Sequence, residues 1–125
     1  MRDSPDSICR VLIVQPCVPQ YRVPLFEQLA LSYEGRFRVL CSPEDPGTGA
    51  KSADNLPSFI HANAKTQSFL GNRLFWQHLG HTARNLEKGD VLVINGNPRY
   101  LSSLWWANRA RANGVGVVWW GHGWT

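Results

Sequence analysis

Three apolar runs rich in β-branched residues constrain the fold of this chain more than any other feature. They read ICRVLIV at residues 8–14, DVLVING at 90–96 and VGVVWW at 115–120, and each ends at a glycine or at a Gln-Pro pair. Continuous apolar runs are typical of parallel strands that are buried on both faces of a sheet. The pattern therefore predicts an α/β protein whose helices cover a mostly parallel sheet.

The segments between the first runs supply two further strands and a helix. Arg36 to Cys41 alternates apolar residues with arginines and predicts the second strand, and Phe59-Ile60 predicts a short third strand. The intervening helix should have Pro24 in its first turn and Gly35 just past its end. Its predicted apolar face consists of Leu25, Phe26, Leu29, Ala30 and Tyr33.

Two more helices are predicted in the second half of the chain. The first runs from about Asn72 to Lys88, is closed by Gly89 and carries one apolar stripe. That stripe consists of Phe75, Leu79, Thr82 and Leu86. The second opens with Asn97 as N-cap and Pro98 at its first position, and it stops at Gly114. Its predicted inward-facing residues are Leu101, Leu104, Trp105, Asn108 and Ala112.

The alternation of strands and helices predicts a Rossmann-like, doubly wound, mostly parallel sheet with the strand order 3-2-1-4-5. Residues 1–125 are expected to form one domain, with residues 1–7 disordered. Trp119 and Trp120 are neighbours in the fifth strand and should point to opposite faces of the sheet. Because both faces then need a cover and nothing follows, we expect the chain to be truncated after this strand.

Five of the six tryptophans, Trp105, Trp106, Trp119, Trp120 and Trp124, fall after residue 100. They could form an aromatic platform for a sugar or a lipid. The favoured interpretation places most of them in the core, where they face helices on either side of the sheet.

Composition and motifs exclude several classes of protein. A net charge of +4 without a basic run argues against nucleic acid, and no apolar run is long enough to span a bilayer. The N-terminus lacks a signal-peptide core, so the cytoplasm is the predicted compartment. The loop after the first strand carries neither a Walker A nor a G-x-G-x-x-G motif, which argues against a bound cofactor.

Cysteine and histidine spacing argues against a metal site. The three cysteines, Cys9, Cys17 and Cys41, have neither metal nor redox spacing and are predicted to be structural thiols. His78 and His81 would share a face of the predicted helix, but the sequence offers no third ligand nearby. No metal is therefore expected.

Three loops follow the predicted strands and should meet at the carboxyl edge of the sheet, where open α/β sheets bind ligands. They are QPCVPQYR, NGNPR and GHGWT. Together they would bring Arg22, Arg99 and His122 into one crevice, along with Gln15, Asn95 and Asn97. Two arginines and an imidazole favour a phosphate or a carboxylate. The alternative is that both arginines are solvated and pair with nearby acids.

His122 lies between Gly121 and Gly123. The glycines permit a tight turn and close approach of a ligand to the backbone, and the imidazole could exchange hydrogen bonds with a polar substrate near neutral pH. The alternative role is a hydrogen bond to a neighbouring loop.

The same blocks carry a family resemblance. PxxxQYRVPLFEQLA, GDVLVINGNPRYLSSLWWA and GVGVVWWGHG resemble, in this order, the acceptor-side domain of GT-B glycosyltransferases, especially those of family 4. They cover about half of the chain. Pro16 and Pro19 depart from the family's glycine-rich loop after the first strand.

The resemblance implies the N-terminal half of a transferase that moves a sugar from a nucleotide-sugar donor to a sugar, lipid or other hydroxyl acceptor. It matches His122 to the family's catalytic histidine near the donor sugar, and it implies that Tyr21 and Arg22 face the acceptor. Gln15, Asn97 and Arg99 would border the same cleft. The nucleotide-binding C-terminal domain is then a missing partner, the 125 residues alone should be inactive, and peripheral association with a membrane stays open.

Two other interpretations remain. One is a complete, small flavodoxin-like module that binds a partner without catalysis, with its tryptophans as a docking patch. The other is a fragment of a GT-B-like nucleotide-sugar epimerase, because a shared half-fold does not determine the reaction.

Overall fold

The computed structural model describes residues 9–33 and 35–120. Residues 1–7, which were predicted to be disordered, and the GHGWT segment lie outside the described residues. The strands are β1 Val11–Val14, β2 Phe37–Leu40, β3 Ile60–His61, β4 Lys65–Phe69, β5 Leu74–His78, β6 Val91–Asn95 and β7 Gly116–Trp120. The helices are α1 Val23–Ser32, α2 His81–Arg84 and α3 Leu101–Ala112, and a single 3₁₀ turn, Gln20–Arg22, precedes α1.

Five parallel strands form the main sheet in the order β3-β2-β1-β6-β7. β1 is central, with Val11 opposite Phe37 on one side and opposite Val91 on the other. β6 and β7 are the predicted fourth and fifth strands, so the predicted order 3-2-1-4-5 and the Rossmann-like α/β class are confirmed.

Both faces of the sheet are covered at β1 and β6, as their continuous apolar runs predict, whereas the edge strand β7 is exposed at Val118 and Trp119. Leu12 and Val14 of β1 join Leu92 and Trp106 in a cluster under α2 and α3. Ile13 points the other way, into a cluster with Phe26 of α1. Fully burying a side chain such as Phe26 stabilises the fold by about 1.5–3 kcal/mol. The doubly wound arrangement therefore follows from the strand sequences.

Helix α1 matches its prediction except at one residue. Pro24 lies in the first turn, and Gly35 adopts the left-handed φ of +70° after the helix. Phe26 is fully buried, and Leu29, Ala30 and Tyr33 pack against the same cluster. Leu25 was predicted to face inward, but it is 46% exposed.

The predicted helix over 72–88 is wrong. The stretch begins with β5, the second strand of the antiparallel hairpin β4–β5 in which Phe69 lies opposite Leu74, and continues with the four-residue α2. Residues Leu70 to Asn72 make the turn with positive φ angles. Phe75, Gln77 and Leu79 are buried at every second position. Because residues 75 and 79 also fit a four-residue helical spacing, the apolar pattern alone did not separate strand from helix.

The hairpin also places His78 and His81 in different elements. His78 ends β5, where its Nε2 lies 2.9 Å from Gln67 Oε1, and His81 begins α2. They therefore do not share a helical face.

Helix α3 starts later than predicted and buries the opposite face. Asn97 does not cap it; its Oδ1 accepts the Arg99 backbone N–H at 3.0 Å in a tight turn, and the helix begins at Leu101. The predicted inward residues are exposed, whereas the buried ones are Ser102, Ser103, Trp106, Ala107 and Ala110. The serine and alanine side chains let α3 lie close to the sheet and to β5. Because apolar residues occur on both faces of this helix, the sequence pattern did not indicate which face is buried.

The tryptophans are less buried than expected. Trp119 and Trp120 do point to opposite faces, since Trp120 packs against Phe26 with ring centres 5.7 Å apart while Trp119 is 42% exposed. Trp105 is also exposed, and Trp106 alone is buried among the described tryptophans. The interpretation of most tryptophans as core residues is therefore wrong.

Candidate functional site

A cleft of about 580 Å³ opens at the carboxyl edge of β1 and β6. The strand order reverses here, because β2 and β3 lie on one side of β1 while β6 and β7 lie on the other. Open α/β sheets usually bind their ligands at such a switch point. The cleft is lined by Gln15, Pro16, Cys17, Pro19, Tyr21, Arg22, Asp45, Thr48, Ala50, Asn95, Gly96, Asn97, Pro98 and Trp120.

Five of the predicted site residues line this cleft: Gln15, Tyr21, Arg22, Asn95 and Asn97. Arg99 does not. Its Nε donates to the Arg73 carbonyl at 2.9 Å, another of its N–H groups donates to the Asn72 carbonyl, and its guanidinium lies over the Phe75 ring. Arg99 thus ties the loop after β6 to the turn of the hairpin. Gly121, His122 and Gly123 lie outside the described residues.

Arg22 is held in the cleft without a negative partner. Its Nη1 donates to Oε1 of the buried Gln15 side chain. Its Cζ lies 5.8 Å from the ring centre of Tyr21 and 5.7 Å from that of Trp120. Among the described residues, no carboxylate lies within ion-pair distance of Arg22, so the alternative of a paired surface arginine does not hold for this part of the chain. Its remaining N–H groups can receive a ligand.

Asn95 carries an unused hydrogen-bond donor. The residue is 8% exposed, and its Oδ1 accepts the Asn97 backbone N–H at 3.0 Å, which sets the orientation of the amide. Its Nδ2 has no hydrogen-bond partner among the described residues. Leaving a buried donor unsatisfied costs about 1–3 kcal/mol, so such a group signals a missing acceptor.

The loop between β2 and β3 contributes Asp45, which sequence reasoning missed. Asp45 is 8% exposed, and its Oδ1 accepts the Tyr100 hydroxyl at 2.6 Å and the Gly47 N–H at 3.0 Å. The Thr48 hydroxyl donates to Oδ2 at 3.2 Å. The signal for this residue was its position one before Pro46-Gly47, where aspartate commonly organises a turn.

Tyr100 is a buried donor beneath the cleft. It is 1% exposed, and burial together with the neighbouring Asp45 carboxylate raises the pKa of its phenol above the ordinary range. The phenol therefore stays protonated and keeps donating to Asp45. Nothing in the local sequence indicated this pairing, because the two residues are 55 positions apart.

Cys17 presents a neutral thiol to the cleft. Burial first, and then the charge of Asp45, raise the pKa of this thiol to about 11, although Arg22 opposes the shift. Burial likewise raises the pKa of Cys41. Neither group is a thiolate near neutral pH, so neither supplies a nucleophile or a negative charge. Cys9, Cys17 and Cys41 are all free thiols.

The hairpin positions the floor of the cleft through a second missed residue, Gln77. This residue is 2% exposed, and its Nε2 donates to the Gln15 carbonyl at 2.9 Å and to Ser42 Oγ at 3.2 Å. The Gln77 backbone N–H in turn donates to Ser102 Oγ at 2.9 Å. The hairpin thereby holds the backbone of the residue that contacts Arg22.

The described ranges, 9–33 and 35–120, hold neither a metal-binding cluster nor a membrane-spanning helix. They contain no group of three histidine, cysteine, aspartate or glutamate side chains that could hold a metal ion. No helix within them is both long enough and apolar enough to cross a bilayer. The lining of the cleft offers amides, one guanidinium, one carboxylate, a thiol, hydroxyl groups and aromatic rings.

Comparison with known proteins returns no family model, no curated protein and no solved structure that matches this chain. The cleft can bind a small polar molecule through hydrogen bonds and ring contacts, and its volume lies in the usual range for such ligands.

Proposed function

We propose that this chain is the acceptor-side domain of a glycosyltransferase, which binds a hydroxyl-bearing acceptor and receives a sugar from a nucleotide-sugar donor. The observation that carries the proposal is the cleft at the carboxyl edge of β1 and β6, which combines donors, acceptors and an exposed aromatic ring. Tyr21 is 74% exposed, so its ring is open to a ligand.

The polar groups of the cleft suit a sugar. Each sugar hydroxyl both donates and accepts a hydrogen bond, and amide side chains such as those of Asn95 and Asn97 offer both functions. The C–H face of a sugar ring packs well on an aromatic side chain, and Tyr21 and Trp120 both line the cleft. A neutral, fully apolar ligand would leave these polar groups unpaired.

The sequence resemblance supports the same proposal. All three of its blocks supply residues that line the cleft, among them Arg22, Asn97 and Trp120. In this proposal Arg22 and Asn95 bind and orient the acceptor. His122 acts at the reacting sugar, and a nucleotide-binding domain outside this chain holds the donor.

Acceptor binding to the 125-residue chain tests the proposal. A glycan array, followed by calorimetry on the hits, should reveal glycans that bind in the cleft. Arg22→Gln should weaken that binding by about 10- to 100-fold, since a charge-assisted hydrogen bond contributes about 1.5–3 kcal/mol. Arg38→Gln is the matched control, because Arg38 lies on β2 beside His61 and does not line the cleft.

Two results would contradict the proposal. The first is an absence of glycan binding, or an equal loss of binding in Arg22→Gln and Arg38→Gln. The second is efficient sugar transfer by the 125 residues alone, which would mean that the donor half is not supplied by another domain.

A further inference from the structure

Two side chains of the cleft, Arg22 and Asn95, carry hydrogen-bond donors without an acceptor among the described residues. The Asp45 carboxylate already accepts from a phenol, a backbone N–H and a hydroxyl, so its main lone-pair positions are occupied. The Cys17 thiol is protonated near neutral pH and adds no charge. On the donor side, the Arg22 guanidinium uses one N–H on a neutral amide, and Asn95 Nδ2 has no acceptor among the described residues.

The Asn95 donor cannot be satisfied by turning the amide over. Its Oδ1 accepts the Asn97 backbone N–H at 3.0 Å. A flipped amide would put an NH₂ group against that N–H and lose the hydrogen bond. The Nδ2 group therefore stays a donor. Asn95 is only 8% exposed and lines the cleft. Only an acceptor brought by a ligand or by the undescribed part of the chain can satisfy it.

Charge points in the same direction as hydrogen bonding. Arg22 is a cation held by two aromatic faces and an amide, and these contacts neutralise none of its charge. The loop after β6 that lines the cleft, Asn95 to Pro98, contains no acid. Asp45 is the one carboxylate among the lining residues, and it does not lie within ion-pair distance of Arg22. An anionic group would receive both a charge-assisted bond from Arg22 and a bond from Asn95.

We propose that the acceptor bound in this cleft bears an anionic oxygen group, a carboxylate or a phosphate monoester, which Arg22 and Asn95 Nδ2 bind together. The inference rests on the proposed acceptor site and narrows its substrate class to acidic sugars and sugar phosphates. Asp45 then keeps its structural partners, while Asn97 and Tyr21 are left for hydroxyl groups and the ring of the sugar.

Calorimetric titration of the 125-residue chain with glucose, glucuronate, glucose 6-phosphate and inorganic phosphate tests this inference. A charged sugar should bind at least about 10-fold more tightly than glucose, and added salt should reduce the difference. In Arg22→Gln the charged sugar should fall to the affinity of glucose. Asn95→Asp, which keeps the acceptor for the Asn97 N–H but replaces the donor by a carboxylate, should lower the affinity for the charged sugar only.

The pH dependence separates the two anions. A phosphate monoester gains its second charge near a pKa of about 6, so its affinity should rise between about pH 5 and pH 7.5. A carboxylate is already ionised over that range and its affinity should stay level. Arg38→Gln is again the control, and a thermal melt of each variant shows that it is folded.

The outcomes distinguish the proposed anion site from the proposed glycosyltransferase function on which it rests. Equal affinity for glucose and the charged sugars, or an unchanged preference in both cleft variants, overturns the anionic group while leaving the acceptor site standing. Binding of inorganic phosphate with no gain from an attached sugar supports the anion site and contradicts the glycosyltransferase proposal. If none of the four compounds binds, both proposals fail.

Discussion

The two arginines that flank β1 lie in opposite electrostatic settings. At the amino edge of the sheet, Arg10 meets Asp90, whose side chain is 2% exposed; Nη2 and Nε of Arg10 lie 2.7 and 3.0 Å from Oδ2. The backbone N–H groups of Arg10 and Glu87 complete the set of donors around this carboxylate. At the carboxyl edge, Arg22 has only a neutral amide and two aromatic rings.

The contrast separates stability from binding along a single strand. The amino-edge pair joins residues 80 positions apart, is complete without a ligand and closes the sheet between β1 and β6. Arg22, at the carboxyl edge, contacts only a neutral amide and the rings of Tyr21 and Trp120, so it should contribute little to stability. We therefore expect substitutions in the Arg10–Asp90 pair to change mainly the free energy of unfolding, and substitution of Arg22 to change mainly ligand affinity.

The largest expected effect comes from removing the buried carboxylate. Asp90→Ala leaves two backbone N–H groups and the half-exposed guanidinium of Arg10 without their acceptor. A hydrogen bond to a charged group contributes about 1.5–3 kcal/mol, so the loss of several should lower the free energy of unfolding by about 3–5 kcal/mol. Urea denaturation measures the change. Asp54→Ala, at an exposed position, should stay within about 0.5 kcal/mol of the original chain. A loss below about 1 kcal/mol at Asp90 would remove the distinction between the edges.

Acid should abolish part of the same stabilisation. Burial raises the pKa of Asp90, but the hydrogen bonds from Glu87 and Arg10 and the charge of Arg10 outweigh it and hold the pKa below the ordinary value of 3.8. Because the folded pKa is lower than the unfolded one, the stabilisation is complete above the unfolded pKa. It is lost as the pH falls through the folded pKa.

Urea midpoints measured from about pH 6 down to about pH 2 for the original chain and Asp90→Asn check this dependence. The gap between the two proteins should narrow toward acid. A gap that is constant over the whole range would show that ionisation of Asp90 does not contribute.

An intermediate effect is expected beneath the cleft. Tyr100→Phe removes the hydroxyl that donates to Asp45, a hydrogen bond to a charged group that contributes about 1.5–3 kcal/mol. Tyr21→Phe, at a position 74% exposed, should leave the melting temperature unchanged. Equal melting temperatures for the two variants would indicate that the buried phenol is dispensable and that the carboxyl edge contributes nothing to stability.

The smallest change in stability is expected at Arg22. Arg22→Gln loses one hydrogen bond and two ring contacts in a partly solvated site, so the free energy of unfolding should fall by about 1 kcal/mol or less. The same denaturation experiment measures it. A loss as large as that of Asp90→Ala would mean that both arginines are structural.

Much of the fold could be predicted because it depends on local apolar patterns. The runs at 8–14, 90–96 and 115–120 are continuous, so their strand character could be predicted, and for the first two so could the burial of both faces. The third run forms the edge strand β7, which stays exposed at Val118 and Trp119. The hairpin and the buried face of α3 could not be predicted in this way. In β5 the spacing of the buried residues fits two periods, and in α3 the buried face consists of small residues that carry little hydropathy.

The candidate site divides along the same line. Gln15, Arg22, Asn95 and Asn97 follow parallel strands, and strand ends meet at one edge of a sheet, so their convergence could be predicted. Asp45 reaches the cleft only because a long loop folds over it and Tyr100 holds it there. Arg99 leaves the cleft because the unpredicted hairpin offers it two carbonyl groups. The parts of the site that depend on contacts between distant segments could therefore not be predicted from the local sequence pattern.

The pairing of β1 with β6 also determines when the molecule can assemble. During translation at about 5–20 residues per second, roughly 4–16 s separate the synthesis of the two strands. β2 is synthesised much earlier, so for several seconds β1 can pair with β2 but has no partner strand on its other side. The ion pair between Arg10 and Asp90 can form only after β6 has been synthesised, so until then the nascent chain lacks this long-range contact.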